Sequence, residues 1–264
     1  MTANKPRVLL TNDDGYQAAG LRALADELKD FAQVQIVAPS WERSGAAQSL
    51  TLRQPIVCHK IAENEWAIDG TPADCVIVAL HKLLPEKPDL VISGINHGAN
   101  LGENVYYSGT VGAAREATIH YVPGFAISLC SKRVDSNFAP TSFLARQIAQ
   151  LVLTENLPVQ VFLNINVPEN WQGEVRLTRQ SRKITRTLLR EGADPRGVPY
   201  FWLSEQRVDR DMGIDSDSDY AAIFAREASI TPLHLDPTHL ESMNHLSHWL
   251  AKLKMEPSRC PSRS

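Results

Sequence analysis

Val8-Leu9-Leu10-Thr11-Asn12-Asp13-Asp14-Gly15 decides the reading of this chain, because a short apolar run breaks there into a turn carrying two adjacent carboxylates. Three aliphatic residues in succession suit a strand buried on both faces, as in a parallel sheet. Leu21, Leu24, Ala25 and Leu28 then recur at i, i+3, i+4 and i+7, and Val34 to Ala38 is a second strand closed by Pro39. Strand, one-faced helix and strand make a βαβ unit.

The alternation continues outward from that unit. Thr71, with Pro72 at the first helical position and Asp74 three residues after the cap, marks a helix start, and that helix runs to about Leu84. Leu90 to Ser93 is the next strand, Val111 to His120 a helix and Phe125 to Leu129 a strand. A helix beyond Pro140 to about Glu155 and the strand Val161 to Val167 follow. The expected fold is therefore α/β, a mostly parallel sheet flanked by helices.

Past that strand the periodicity fades. Residues 171–232 are polar and turn-rich, with β-like runs such as Tyr200 to Leu203, and read as hairpins and an arm instead of a second core. Thr238 to Leu253 is an amphipathic closing helix, and Glu256 to Ser264 is expected to fray. At 264 residues the chain is read as one domain, 1–264, with a core over about 1–170.

Composition narrows the function. No apolar run approaches the roughly 20 residues that span a bilayer, and Met1 to Pro6 does not form a charged-then-apolar leader, so the expected location is cytoplasmic. Cys58, Cys75, Cys130 and Cys260 lack paired spacing, which argues against a zinc knuckle or a disulfide framework. A net charge of -3 does not attract polyanions, so a phosphate-bearing ligand must be met locally and extended nucleic acid is not an expected partner. Arg176, Arg179, Arg182, Lys183, Arg186 and Arg190 form a basic stretch that reads as a solvated or subunit-facing surface.

In open α/β sheets ligands bind beyond the carboxyl ends of the strands, which here are unusually polar. Adjacent Asp13 and Asp14 repel each other unless a cation lies between them. A hard divalent ion relieves that repulsion, and Asp13, Asp14, Ser44 and Asn96 supply the oxygen ligands that Mg²⁺, Mn²⁺ or Ca²⁺ prefers. Asn, Asp and Gly are also ordinary turn residues, so position at the first strand's end carries the argument.

Asn100 and Tyr107-Ser108-Gly109-Thr110-Val111-Gly112 form a second group, a small-residue turn opening a helix whose free N–H groups and hydroxyls suit phosphate. Asn12 and Gly45, in the two acidic and serine turns, complete the candidate substrate-binding set with Asn100, Ser108, Gly109 and Thr110. A cation site and an anion cradle on one sheet edge describe phosphoryl transfer to water, with Asp13 and Asp14 as the catalytic pair. His97 is an acid, a ligand or a turn residue. His234, His239, His245 and His248 show no metal spacing.

Those loops resemble the SurE family of survival-protein nucleotidases. The likeness covers Leu10 to Gly15, Val37-Ala38-Pro39 with Glu42 to Gly45, Gly70 to Val76, Ser93 to Asn96 with Gly98, Asn100 and Gly102, and Tyr107 to Ala114 with Glu116. It continues through Leu163 to Pro168, Thr178 to Ser181, Asp217 to Tyr220 and Ser229 to Leu233. The resemblance implies a Rossmann-like domain and one Mn²⁺ or Mg²⁺ per subunit on the residues matching Asp13, Asp14, Ser44 and Asn96. It also implies hydrolysis of nucleoside 5′-monophosphates, extending in some members to 3′-monophosphates and short polyphosphate. A hairpin exchanged between subunits, giving a homodimer or homotetramer, is implied as well. Ser40 and Gln48 depart from the family pattern, an acidic residue and a histidine being usual there, and both flank the Ser44 loop.

Three rivals stand beside that reading. A dinucleotide-binding oxidoreductase lacks its GxGxxG turn here. A phosphatase with an aspartyl-phosphate intermediate would use Asp13 as nucleophile. A non-catalytic oligomeric binding protein would keep the metal as structure. Which of Asp13 and Asp14 acts as general base stays open at the level of sequence.

Overall fold

The structure is a computed structural model describing residues 5–182, 185–207, 214–250 and 252–253. Its strands in chain order are β1 (Arg7–Thr11), β2 (Gln33–Pro39), β3 (Cys58–Ala62), β4 (Glu65–Ile68), β5 (Leu90–His97) and β6 (Gly124–Cys130). Then come β7 (Val161–Pro168), β8 (Val175–Leu177), β9 (Thr185–Ala193), β10 (Pro199–Arg207) and β11 (Ala228–His234). The helices are α1 (Ala19–Leu28), α2 (Pro72–Val78, extended by a wider turn, Ala79–Leu83), α3 (Gly109–Ile119), α4 (Ala139–Glu155), α5 (Asp219–Phe224) and α6 (Leu240–Leu250).

Nine strands form one sheet in the order β3-β4-β2-β1-β5-β6-β7-β11-β8, while β9 and β10 pair separately. The pairs β1·β2, β1·β5, β5·β6 and β6·β7 are parallel, and β11 returns antiparallel on β7. This is the mostly parallel, helix-flanked sheet expected from the apolar alternation. Side chains alternate across β1: Val8 and Leu10 join Leu21, Leu24, Leu144 and Ile148 on one face. Leu9 joins Val37, Val76 and Ala113 on the other. The sheet is thus sandwiched between an α1/α4 layer and an α2/α3 layer.

From β1 the chain first moves to β2 and later returns to β5 on the opposite side, so the order reverses between β1 and β5. A crevice opens where neighbouring strands send their connections to opposite faces. Asp13-Asp14 leave β1 and Asn96-His97 end β5, which brings both sets to that reversal.

Three differences from the sequence reading have physical causes. β5 extends beyond Ser93 to His97 because Gly94, at φ +139°, lets the strand step out of register with β6 between Ser93 and Asn96. A Cβ at Gly94 would lie 2.3 Å from the Ile127 carbonyl oxygen. The hairpin β3-β4, unread in the sequence, adds an edge whose outer strand is wholly exposed and so carries little apolar signal. Finally, the main sheet continues beyond residue 170: β8 and β11, sited by sequence in the arm region, belong to it, whereas β9 and β10 form a separate hairpin. Tertiary pairing outweighs their weak periodicity. The closing helix spans Leu240–Leu250, within the wider stretch read from the sequence. Cys260, Lys183 and the fraying segment from Glu256 lie outside the described residues.

Candidate active site

The turn after β1 is closed by Asn12, whose Nδ2 donates to the Gly15 carbonyl at 2.9 Å while its Oδ1 accepts from the Gly15 N–H at 3.2 Å. Both ends of that amide are spent within the turn, and Asn12 is buried away from the cleft. It shapes the Asp13-Asp14 corner and does not stand with the other expected substrate contacts.

Asp13 is only 4% exposed and accepts a hydrogen bond from the Thr110 hydroxyl. Burial pushes its carboxyl up to about 6; the Thr110 hydroxyl and backbone pull the other way, and the charge of Asp14 adds to the rise. Asp14 faces the cleft and accepts from the His97 backbone N–H at 3.1 Å. Burial also raises its carboxyl, with the His97 N–H opposing and the charge of Glu42 reinforcing. Ionisation of these two neighbouring acids is opposed by burial and would be favoured by a cation between them.

The Ser44 loop is fastened to this corner from three sides. The Arg43 N–H donates to the Asp13 carbonyl at 2.6 Å and the Ala47 N–H to the Tyr107 carbonyl at 3.1 Å. Asp74, which completes the capping box of α2 with Thr71, also accepts from the Thr51 N–H at 3.1 Å and from its hydroxyl at 2.6 Å. A helix cap thereby anchors a site loop. The two departures from the family pattern are absorbed nearby: the Ser40 hydroxyl donates to Asp69 at 2.6 Å, and Gln48 Nε2 donates to Glu116 at 2.6 Å.

Asp13, Asp14, Ser44, Gly45, Asn96, Asn100 and Ser108 all line one cleft of about 660 Å³. The Ser44 hydroxyl donates to Glu42 at 2.7 Å, and Asn96 Nδ2 donates to the Gly98 carbonyl at 2.7 Å, which leaves Asn96 Oδ1 as its outward acceptor. Among the described residues no three His, Cys, Asp or Glu side chains converge on a metal position. The fit for a cation therefore rests on two carboxylates with the Ser44 and Asn96 oxygens, a hard all-oxygen set.

On the opposite wall Ser108 caps α3, accepting from the Val111 N–H at 3.1 Å. The first turn of that helix stands directly against the acids, since a Cβ on Gly109 would lie 3.0 Å from Asp13 Cβ. Asn100 is held by a buried network that the residue pattern alone left unread. Its N–H donates to Asn166 Oδ1 at 2.8 Å and its Nδ2 to Ser128 at 3.0 Å. Its carbonyl accepts from Asn164 at 2.8 Å and Asn166 at 3.1 Å. The signal was the polar pair Asn164 and Asn166 inside an apolar strand, since buried amides require partners.

His97 lines the cleft, with its Nε2 3.2 Å from the Ser136 hydroxyl and its ring edge-on to Phe138 at 5.8 Å. The basic stretch disperses: Arg176 pairs with Glu227, and Arg179 with Asp215 and Asp217.

A family model described as Survival protein SurE matches residues 8–187. The chain belongs to the SurE family. Relatives include the 5′-nucleotidase SurE of Pelobacter propionicus, 42% identical over 246 residues, or 92% of this chain and 99% of that protein. That of Desulforudis audaxviator is 45% identical over 253 residues, covering 92% and 97%. The crystal structure of the SurE protein from Aquifex aeolicus superimposes with a TM-score of 0.82 at 36% identity, covering 93% of this chain and 100% of that one. The SurE likeness thus reaches beyond the sheet core into the C-terminal elements β8, α5 and β11.

Proposed function

We propose that this chain is a divalent-metal-dependent phosphomonoester hydrolase, a nucleotidase that converts nucleoside 5′-monophosphates to nucleoside and inorganic phosphate. One observation carries the proposal: a buried Asp13 and a cleft-facing Asp14 meet the start of α3 where the strand order reverses. The names of the relatives agree with it.

In this reading Asp13, Asp14, Ser44 and Asn96 hold Mn²⁺ or Mg²⁺, which when bound offsets the carboxylate charge and acidifies water. Asp14 accepts the proton of the attacking water, because its carboxylate reaches the cleft surface while Asp13 is buried against Thr110. Ser108, Gly109 and Asn100 supply neutral donors to the non-bridging phosphate oxygens, while Thr110, expected beside them, is fully buried and spends its hydroxyl on Asp13. Such donors are commonly worth about 3 kcal/mol each in the transition state. Asn100 keeps its place through Ser128, Asn164 and Asn166.

The arm belongs to the same proposal. Phe201, Trp202 and Leu203 on β10 and Met243, Trp249 and Leu250 on α6 expose large apolar side chains, which favours a homodimer or homotetramer that covers them. Among the described residues no helix is long and apolar enough to cross a membrane. Phosphate release from AMP, GMP and dTMP, with and without Mn²⁺, tests the activity. Release that is absent with the metal, or unchanged on removing it, contradicts the proposal.

A further inference from the structure

The two acidic side chains of the cleft, Asp13 and Asp14, come from the β1 end, and a divalent ion between them brings that wall to about zero net charge. A phosphate monoester arrives as a dianion. The cradle at the start of α3 offers hydroxyls and amides, which solvate an anion without cancelling its charge. A formal positive charge is still needed to complete the balance.

The loop after β6 supplies it. Lys132 lines the same cleft, and it has no ion pair or hydrogen bond among the described residues. Its neighbour Arg133 is committed elsewhere, to Asp135 at 2.8 Å and to Glu169 at 3.3 Å. Arg43, also near the acids, lies over the Trp41 ring at 5.0 Å and is not part of the cleft wall. The loop itself is tied down: the Ser136 hydroxyl donates to the Arg133 carbonyl at 2.7 Å, lies 2.9 Å from the Ser131 hydroxyl and meets the His97 ring at 3.2 Å. The base of Lys132 is thus held in register with the residue whose N–H binds Asp14. An ammonium on a pinned loop, unpaired among the described residues and facing a cleft whose other side chains leave a bound dianion unbalanced, is a ligand group awaiting its counter-charge.

We propose that Lys132 is a substrate-contacting residue that binds the phosphate dianion and sets the KM for phosphate esters. The proposal rests on the phosphatase reading above for its kinetic test and on anion binding for its second test. The variants are K132A, K132E and K132R, assayed with Mn²⁺ on AMP and on p-nitrophenyl phosphate at low and high salt. Alanine should raise KM about tenfold on both esters with kcat nearly unchanged, the loss of one charge-assisted contact. Glutamate should raise it further, and arginine should retain most of the affinity. The fall of kcat/KM with salt should flatten in K132A, because the screened attraction is gone. Thermal unfolding should be unchanged, since the side chain has no partner among the described residues to lose.

A KM within about twofold of wild type in both K132A and K132E overturns the proposal. So does a loss confined to AMP, which would place the lysine at the nucleoside, or a fall in kcat at constant KM. If the wild type hydrolyses neither ester, the phosphatase reading fails by itself. Calorimetry with inorganic phosphate then decides Lys132: binding about tenfold weaker in K132A supports the proposal, and equal or absent binding in both proteins refutes it.

Discussion

Replacing Asp13 by asparagine should stabilise the metal-free protein while abolishing its response to metal. Burial raises the Asp13 carboxyl from an ordinary 3.8 to about 6, so folding opposes its ionisation. Below the lower value the side chain is protonated in both folded and unfolded chains and contributes nothing. Between the two values the unfolded chain has lost the proton while the folded one keeps it, and stability falls as pH rises. Above about 6 the whole penalty is present. That gap, at about 1.36 kcal/mol per pH unit, corresponds to about 3 kcal/mol. Because Asp13 is only 4% exposed, solvent screening does not reduce the figure much. Asparagine has the same shape, keeps an oxygen for the Thr110 hydroxyl and carries no charge. Calorimetric unfolding in EDTA at about pH 7.5 should place the variant about 6 to 12 °C above wild type, with the advantage about halved at pH 5. Added Mn²⁺ should raise the unfolding temperature of wild type alone. A variant no more stable than wild type in EDTA, or a pH-independent advantage, would refute the electrostatic reasoning.

Other perturbations separate the parts of the site. Gly109→Ala adds a Cβ 3.0 Å from both Asp13 Cβ and Pro72 Cγ, so activity should fall about a hundredfold by displacing the acid, with unfolding free energy within about 1 kcal/mol of wild type. Unchanged kinetics would show that the acid tolerates the shift. Asn96→Ala should weaken Mn²⁺ binding by calorimetry while leaving the fold intact, because its side-chain hydrogen bond among the described residues is to the Gly98 carbonyl in its own loop. Asp219, fully buried, accepts from the N–H groups of Gly102 at 2.8 Å and Tyr220 at 2.7 Å and from the Ser181 hydroxyl at 2.5 Å. Asp219→Ala strands those donors and should cost about 3 kcal/mol or more in chemical denaturation. In sedimentation, the wild type should run as the proposed dimer or tetramer and the double variant F201D/W202D as a monomer, since these residues are 60% and 68% exposed in the single chain. A wild type that sediments as a monomer would remove the basis for that oligomer.

Much of this architecture was legible because it follows from local chemistry. The β1 run, the α1 stripe Leu21, Leu24 and Leu28, and the Thr71-Pro72-Asp74 cap each announce an element within a few residues, since strand burial, helix faces and caps are short-range effects. The adjacency of Asp13 and Asp14 likewise announces an electrostatic cost that no folding partner is needed to see. The composition of the cleft from Asp13, Asp14, Ser44 and Asn96 could be guessed for the same reason: strand ends carry polar turns.

Tertiary structure alone decided the rest. Only the reversal between β1 and β5 brings Asn96 beside the acids, and only the out-of-register step at Gly94 carries β5 as far as His97. Asp74 looked like a cap and proved to be an anchor for Thr51 as well, while Asn12 looked like a substrate contact and is spent on its own turn. Lys132, an unremarked residue after β6, acquired a role only once the fold had set it in the wall of the cleft. A sequence states which elements a stretch prefers and which charges are costly. Which distant groups repay that cost depends on contacts across the sheet, where side chains separated by dozens of residues meet.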